Sequence, residues 1–434
     1  MLDIRFIREN ADLVQEKSKQ KGYDVDIRRL IELDKEVMEK LAAVQPLREA
    51  RNKLAANSKG SKPSPEDINQ GKKLRDQIVS LEAQMGDLVK ELDSLLKSVP
   101  NMPADDVPVG ASEDENVEAK KWGDIPKFDF QPKTHWEIGE SRGWIDKERA
   151  AKVAGSRFAY LKGDLVKLQL AIVQFVMDTL TNEETLKKII QDSGLKDLSS
   201  KPFVPVLPPL MIKTEVFEAM DRLEPRDDRY KVGADEDNLW LQGSAEHTLG
   251  PMYKDEILDL ADLPIRYLGY ATSFRREAGT YGKDTEGIIR MHQFDKLEME
   301  SFTKPEDGMK EHLLMVAIQE YLMQQLKLPY RVLQKCTADI GKPNARGIDL
   351  EAWLPGAGGY KETHTADYMT DYQARRLQTR VKSGDDNQFV HTNDATAFAM
   401  GRTMVAIIEN NQTPEGKVKI PEALQKYLSG QTEI

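Results

Sequence analysis

A single cysteine, Cys336, among 434 residues excludes an intrachain disulfide, so packing has to hold this chain together. Its six histidines are scattered, and neither they nor Cys336 fall at zinc-ligand spacing, so no zinc is expected. No apolar run approaches the roughly 18 to 20 residues that a membrane span needs. Met1-Leu2-Asp3-Ile4-Arg5 has no apolar core behind its charges, unlike a secretory signal. The expectation is a cytoplasmic chain, neither secreted nor inserted, in which the sequon Asn411-Gln412-Thr413 is a chance match. There is no GxxxxGK[ST] run, so any nucleotide must be gripped by side chains rather than cradled by backbone amides. A formal net charge of -11 argues against general affinity for polyanions; a nucleic acid would have to meet a local basic patch.

The length suits two or three domains. Residues 1 to about 25 suit a short capping helix. Beyond them Leu30, Leu33, Val37, Val44, Leu47 and Leu54 follow heptad spacing. Leu74, Ile78, Leu81, Met85, Leu88, Leu92, Leu95 and Val99 do so without a lapse, which predicts two helices of a coiled coil. Between the runs, Asn57-Ser58-Lys59-Gly60-Ser61-Lys62-Pro63-Ser64-Pro65 is a turn-forming tip. The helices are therefore expected to pair antiparallel as an arm over residues 1–100. At about 1.5 Å per residue, a helix of about 30 residues reaches on the order of 45 Å, long enough to project into solvent. Pro46 is expected to kink or split the first helix. The outer end carries Arg48, Arg51, Lys53, Lys72, Lys73 and Arg75, locally net positive. That is either an ordinary solvated surface or a lever that lays cations along a nucleic-acid backbone.

An acidic, proline-bearing linker is expected over 101–123, and a body over 124–434. In the body a helical stripe runs from Leu165 to Leu180, and Pro202 to Pro209 is extended and proline-bounded. Strand-like runs follow at Leu239–Leu241, Ile265–Phe274, Ile288–Phe302, Tyr330–Gln334 and Ile348–Trp353, with helices near Glu306–Leu326 and Arg402–Asn410. This order predicts an α+β fold with a mostly antiparallel sheet flanked by helices.

One segment of the body concentrates chemistry. Phe274 to Glu300 reads as a hairpin carrying Arg275, Arg276, Glu277, Arg290, Phe294 and Glu298 around the permissive loop Gly279-Thr280-Tyr281-Gly282-Lys283. Arginine forks grip phosphate oxygens, an aromatic face stacks on adenine, and a carboxylate accepts from its amino group. Together these form an inventory for ATP. Taken singly, each has a blander reading: Glu298 as a surface carboxylate, Phe294 as core, Glu362 beside Lys361 as an exposed ion pair.

Read in order, Pro208-Pro209-Leu210, Phe274-Arg275-Arg276-Glu277 through Arg290-Met291-His292-Gln293-Phe294, and Ala399-Met400-Gly401-Arg402-Thr403 through Glu409-Asn410 resemble motifs 1, 2 and 3 of class II aminoacyl-tRNA synthetases. With the arm, the resemblance to the seryl-tRNA synthetase family covers essentially the whole chain. It implies a homodimer joined at motif 1, whose arms grip serine tRNA, with selenocysteine tRNA a further candidate. The reaction it implies is activation of L-serine by ATP with Mg²⁺ and transfer of the seryl group to tRNA.

The resemblance also assigns residues. Arg275 would bind the α-phosphate and the reacting carboxylate, Glu277 and the backbone near Met291 would meet adenine, Phe294 would stack on it, and Arg402 would grip the γ-phosphate or adenine's other face. Arg276 and Arg290 would stand near the phosphates. Glu362-Thr363-His364-Thr365 lies where the family has Glu-Ile-Ser-Ser, with Glu362 and Thr365 as Mg²⁺ ligands and all four beside ATP. Arg275, Arg402 and Glu362 would then be the catalytic groups. Ser244, Ala245 and Glu246, with Arg275, Glu298 and Thr396, would form the serine pocket. Departures from the family pattern are Arg276 for serine, His364 and Thr365 for two serines, the stretch 366–369, and His247 beside the serine pocket. Two other classes remain open: an adenylating enzyme that loads a carrier protein, disfavoured by the arm and the missing zinc ligands, and a noncatalytic tRNA-binding paralogue, disfavoured by the presence of Arg275, Glu277, Glu362 and Arg402.

Overall fold

The computed structural model describes residues 1–57, 64–277, 287–384 and 386–434, with backbone alone at Asp235. Most of the expected arm tip and all of the loop 279–283 lie outside the described residues. The chain forms two compact units, Met1–Met102 and Pro103–Ile434.

The first unit is helical. In place of one capping helix there are two, α1 (Ile4–Glu9) and α2 (Ala11–Gln20), meeting at Asn10. Two long helices follow, α3 (Ile27–Asn57) and α4 (Pro65–Ser98). Ser64 and Asp67 close a reciprocal capping box at the start of α4, and Pro65 takes the first helical position, where a missing N–H is no loss. Cross-helix contacts run in opposite senses along the two helices: Arg29 to Glu91 at 3.1 Å, Lys40 to Gln84 at 3.0 Å, Arg48 to Glu82 at 2.7 Å. The pair is therefore antiparallel. Leu30, Leu33, Val37, Val44 and Ile78 are buried and the other heptad positions are half-buried, apart from the buried terminal Val99. Pro46 does not split α3, which runs unbroken through it. The ring forfeits one backbone bond, while buried Val44 and half-buried Leu47 on either side keep both halves on the seam. Of the basic residues, Arg48 is committed to Glu82, whereas Arg51, Lys53, Lys72, Lys73 and Arg75 are exposed.

The second unit is built on an eight-stranded sheet: β1 (Val117–Trp122), β2 (Val204–Val206), β3 (Ile265–Phe274), β4 (Gln293–Thr303), β5 (Tyr330–Gln334), β6 (Arg346–Leu354), β7 (Gly359–Thr370) and β8 (His391–Ala399). Their order is β1-β5-β6-β7-β8-β4-β3-β2. Within this sheet β2 and β3 pair in parallel, and every other neighbouring pair is antiparallel. Helices α5 (His135–Ser141), α6 (Asp164–Leu180), α7 (Gly308–Gln325) and α8 (Met400–Asn410) complete the frame. Leu168 and Ile172 of α6, Leu314 and Ile318 of α7, and Met404 and Ile407 of α8 share one core with Leu297, Met299, Leu350 and Ala395 of the sheet. The fold is α+β, mostly antiparallel with helices.

Strand alternation assigns the other face. In β4, Leu297 and Met299 enter the core while Lys296, Glu298 and Glu300 point away from it. The expected strands are present, except that the run expected from Ile288 begins only at Gln293; β7 and β8, both central to the sheet, had no counterpart in the hydrophobic pattern. Their sequences, GYKETHTADYMT and HTNDATAFA, are rich in Thr, Asp, His and Asn, so neither reads as an apolar run or as clean alternation. The edge strand β1 lies inside the acidic stretch expected to be a linker. Each of its residues is exposed, and it is held by pairing with β5 and by Trp122 stacking on Tyr330, which is why its composition gave no strand signal.

Candidate functional site

Two interruptions of the sheet aim side chains into one cavity of about 310 Å³ on that free face. Between β6 and β7, Leu350 pairs with His364 and Glu351 with Glu362, so Thr363 is an inserted residue. Glu362 joins Thr363, Thr365 and Asp367 in the cavity wall because of that bulge. Between β4 and β8, Leu297 pairs with Phe398 and Glu298 with Thr396, leaving Ala397 over. Glu298 and Thr396 become direct cross-strand partners and both line the cavity.

One end of the cavity is a dense polar nest. The Arg222 guanidinium lies 3.0 Å from Glu246, 3.5 Å from Asp394 and 3.8 Å from Asp367. Lys296 contacts Glu298 and donates to Ser244 Oγ at 3.2 Å. Burial pushes the Glu298 carboxyl up to about 7 against the pull of Lys296. Burial and the Glu246 charge push Asp394 well above the usual carboxylate range. Glu246 moves the other way: burial opposes its ionisation, yet Arg222 and His247 hold it well below the usual range. His247 is kept neutral, lowered to about 4 by burial. Its Nδ1 accepts from the Gly243 N–H at 3.0 Å, so Nε2, 3.2 Å from Glu246, carries the proton. Behind this nest Glu300 is buried with neither carboxylate oxygen hydrogen-bonded among the described residues, and burial raises it well above the usual range. Glu246, Glu298 and Asp394 bring three carboxylate oxygens within 4.8 Å of one another. Arg222 and Lys296 already serve them as counter-cations.

At the other end the groups are aromatic and cationic. The Arg275 guanidinium sits 5.6 Å from the Phe294 ring centroid, and its Nε donates to the Gly243 carbonyl at 3.0 Å. Arg290 and Glu277 form an ion pair of 2.6 Å. Glu277 has φ +52°, a left-handed conformation uncommon for a non-glycine residue. Arg402, from the first turn of α8, donates to the Glu362 carbonyl at 2.9 Å and carboxylate at 2.8 Å. Against the pull of burial, Arg402 and Lys335 hold Glu362 below its usual range. Ile288, Ile289 and Met291 form an apolar wall, and Gly401 has no room for a side chain because a Cβ would lie 2.7 Å from the Ile288 carbonyl. The arrangement offers a flat slot with cations at one side and a compact polar end at the other. Chemically, groups of the first kind suit a nucleotide and those of the second a small polar molecule.

Of the residues singled out from sequence, Arg275, Glu277, Arg290, Met291, Phe294, Glu362, Thr363, Thr365 and Arg402 line the cavity, as do Glu246, Glu298 and Thr396. Four others stand apart from its lining. Arg276 is exposed, its guanidinium 5.0 Å from the Tyr230 ring centroid. His364 is buried against Phe398 with its Nδ1 on the Thr363 hydroxyl at 2.7 Å, and burial lowers it to about 3. Ala245 packs with Leu249 and Ala271, and Ser244 is buried and reached by Lys296. Sequence reasoning missed Arg222, Arg229, Lys296, Asp367 and Asp394. Lys296 was within reach, since it shares a strand face with Glu298 two residues on. Arg222 gave no signal, because its partners lie 24 to 172 positions away.

Residues 230–411 match the family model of the tRNA synthetase class II core domain (G, H, P, S and T), which sets the class of the fold and its cavity: a class II aminoacyl-tRNA synthetase core. Residues 1–103 match the seryl-tRNA synthetase N-terminal domain, and over 441 aligned positions the chain is 36% identical to the serine-tRNA ligase of Nitrosopumilus maritimus (strain SCM1), covering 100% of each. The chain belongs to the seryl-tRNA synthetase family. Among solved structures it is similar to a seryl-tRNA synthetase from Pyrococcus horikoshii complexed with ATP (TM-score 0.87, 36% identity, 100% of this chain and 99% of that one). It is also similar to a cytoplasmic serine-tRNA ligase from Naegleria fowleri in complex with AMP (TM-score 0.86, 29% identity, 100% and 98%).

Proposed function

We infer that the chain is a serine-tRNA ligase, activating L-serine with ATP and transferring the seryl group to the 3′ end of serine tRNA. The observation that carries this reading is the single cavity in which Arg275 stands between an aromatic, arginine-lined slot and a compact carboxylate end. The relatives named with ATP and AMP support a nucleotide in the slot.

In this reading adenine lies on Phe294 with Glu277 accepting from its amino group, and Arg402 meets the far phosphates. Arg275 holds the α-phosphate and the serine carboxylate together. Serine lies with its ammonium and hydroxyl toward Glu246, Glu298 and Thr396. A carboxylate oxygen of serine attacks the α-phosphorus in line; the bond to the bridging oxygen breaks and pyrophosphate leaves. The attacking carboxylate is already ionised near neutral pH, so this step needs no base, and positioning and charge stabilisation carry it. His364, neutral and turned from the cavity, has no part in it. In the second step the 3′-hydroxyl of the terminal adenosine attacks the seryl carbonyl and AMP departs.

Magnesium fits the donors present. Glu362 offers a carboxylate and Thr365 a hydroxyl, already oriented by donating to Asp349 at 2.7 Å; hard oxygen ligands of this kind suit the ion. Bound there it would neutralise charge on the triphosphate. The exposed cations of the arm are the surface offered to the tRNA backbone. A homodimer is supported by exposed Val204, Leu207, Leu210 and Met211 on and beside the edge strand β2, an apolar rim that a second copy would cover.

The test is amino-acid-dependent exchange of pyrophosphate into ATP with purified protein and Mg²⁺, comparing serine with threonine, alanine and glycine, followed by charging of serine tRNA. Exchange and charging with serine are expected. No exchange with any amino acid overturns the reading.

A further inference from the structure

The wall of the nucleotide slot formed by residues 288–291 has to be positioned relative to α8, which carries Arg402. His135 makes that connection. It is 3% exposed and opens α5, whose start is fixed by a capping box between Thr134 and Glu137. Its backbone N–H donates to Glu409 Oε1 at 3.0 Å, and its ring Nδ1 lies 2.8 Å from the same oxygen. Glu409 belongs to α8, about two turns beyond Arg402, and its other oxygen accepts from the Gly356 N–H at 2.8 Å.

A ring nitrogen facing a carboxylate oxygen carries the proton. The opposite nitrogen, Nε2, is then bare, and it accepts from the Ile288 N–H at 3.3 Å. The imidazole therefore bridges α8 and the first residue of the slot wall. Two glycines permit the approach. Gly287 has φ +63°, and a Cβ there would lie 1.9 Å from His135 Nε2; at Gly401 a Cβ would meet the Ile288 carbonyl. Ile288, Ile289, Arg290 and Met291 line the cavity, whereas His135 does not.

We propose that His135 is a positioning residue for ATP: by bridging Glu409 and Ile288 it holds the slot wall against the helix that presents Arg402. It acts on nucleotide affinity and leaves the serine end of the cavity unaffected. The inference rests on the nucleotide-slot reading above.

The experiment compares full-length wild type, His135→Asn and His135→Gln for melting temperature and for the KM of ATP and of serine in pyrophosphate exchange. An Asn amide occupies the place of Nδ1, so it keeps the Glu409 contact and cannot reach Ile288. The expected result is a folded protein whose KM for ATP rises roughly tenfold, the scale of one lost hydrogen bond, with the KM for serine within about twofold. A Gln amide reaches the place of Nε2 and is expected to recover most of the loss. A folded Asn variant with unchanged KM for ATP overturns the proposal, as does a rise in both KM values together. Should the Asn variant not fold, Gly287→Ala crowds the same contact from the other side; the same split is expected there, and its absence is equally decisive. If wild type exchanges with no amino acid, the functional reading fails by itself. Calorimetric ATP binding then decides the role of His135, and equal affinities in wild type and the Asn variant overturn it.

Discussion

Arg222 Nε lies 3.0 Å from Glu246 Oε1, and the same guanidinium reaches Asp394 and Asp367. One cation, its side chain 15% exposed, thus lies among three carboxyl groups at the end of the cavity assigned to serine. Removing one partner of such a group leaves uncompensated buried charge, an effect of about 3 to 5 kcal/mol in other proteins. Arg222→Gln, close in size but neutral, should lower the melting temperature by several degrees and raise the KM for serine roughly tenfold, with the KM for ATP little changed. Equal effects on both substrates would place Arg222 outside the serine end.

Arg275 contacts the Gly243 carbonyl and the Phe294 face, and the nearby carboxyl groups of Glu298 and Glu362 are held chiefly by Lys296 and Arg402. Arg275→Ala should therefore melt close to wild type while pyrophosphate exchange falls by roughly 10² to 10³-fold or more, the range seen when a transition-state donor is removed. Near-normal exchange would refute its assigned role.

Glu298 supplies a pH signature. Its carboxyl is raised from 4.5 to about 7 in the folded chain, so between those values the native state binds more protons than the unfolded one. Stability from this group is present below about 4.5 and declines as pH rises through about 7. Without substrates, the melting temperature should fall between about pH 5 and pH 8, and Glu298→Gln should make that slope shallower. An unchanged slope in the Gln variant would assign the titration to another group.

Replacing residues 30–98 by a short linker should spare pyrophosphate exchange and abolish tRNA charging. Alanine at Lys72, Lys73 and Arg75, all exposed, should weaken tRNA binding and reduce its dependence on salt, by a slope of about 0.7 to 0.9 per lost phosphate contact. Undiminished charging by the deletion variant would remove the arm from tRNA recognition.

Both halves of the arm were legible because a heptad seam is a local pattern: Leu30 to Val44 and Leu74 to Val99 mark their buried faces by spacing alone. The aromatic and cationic end of the cavity was legible for a related reason. Arg275, Glu277, Arg290 and Phe294 sit within one hairpin, close in sequence as well as in space. Pro46 was misjudged, because intrinsic helix breaking is a local effect and the seam on either side of it is a tertiary one. The strands β7 and β8 escaped notice because polar residues fill the cavity face that apolar ones would otherwise have marked.

The sequence by itself determined the α+β class, the paired arm, the strands that alternate cleanly and the clustering of Arg275, Glu277, Arg290 and Phe294, since each is written in spacing over a few turns or one hairpin. Only the tertiary structure decided which carboxylates share a site. Two inserted residues, Thr363 and Ala397, turn Glu362 into the cavity and bring Glu298 opposite Thr396. Arg222 and His135 reach partners far along the chain. Contacts of that kind depend on how the sheet registers and on burial that shifts ionisation, and neither is encoded within any single stretch of residues.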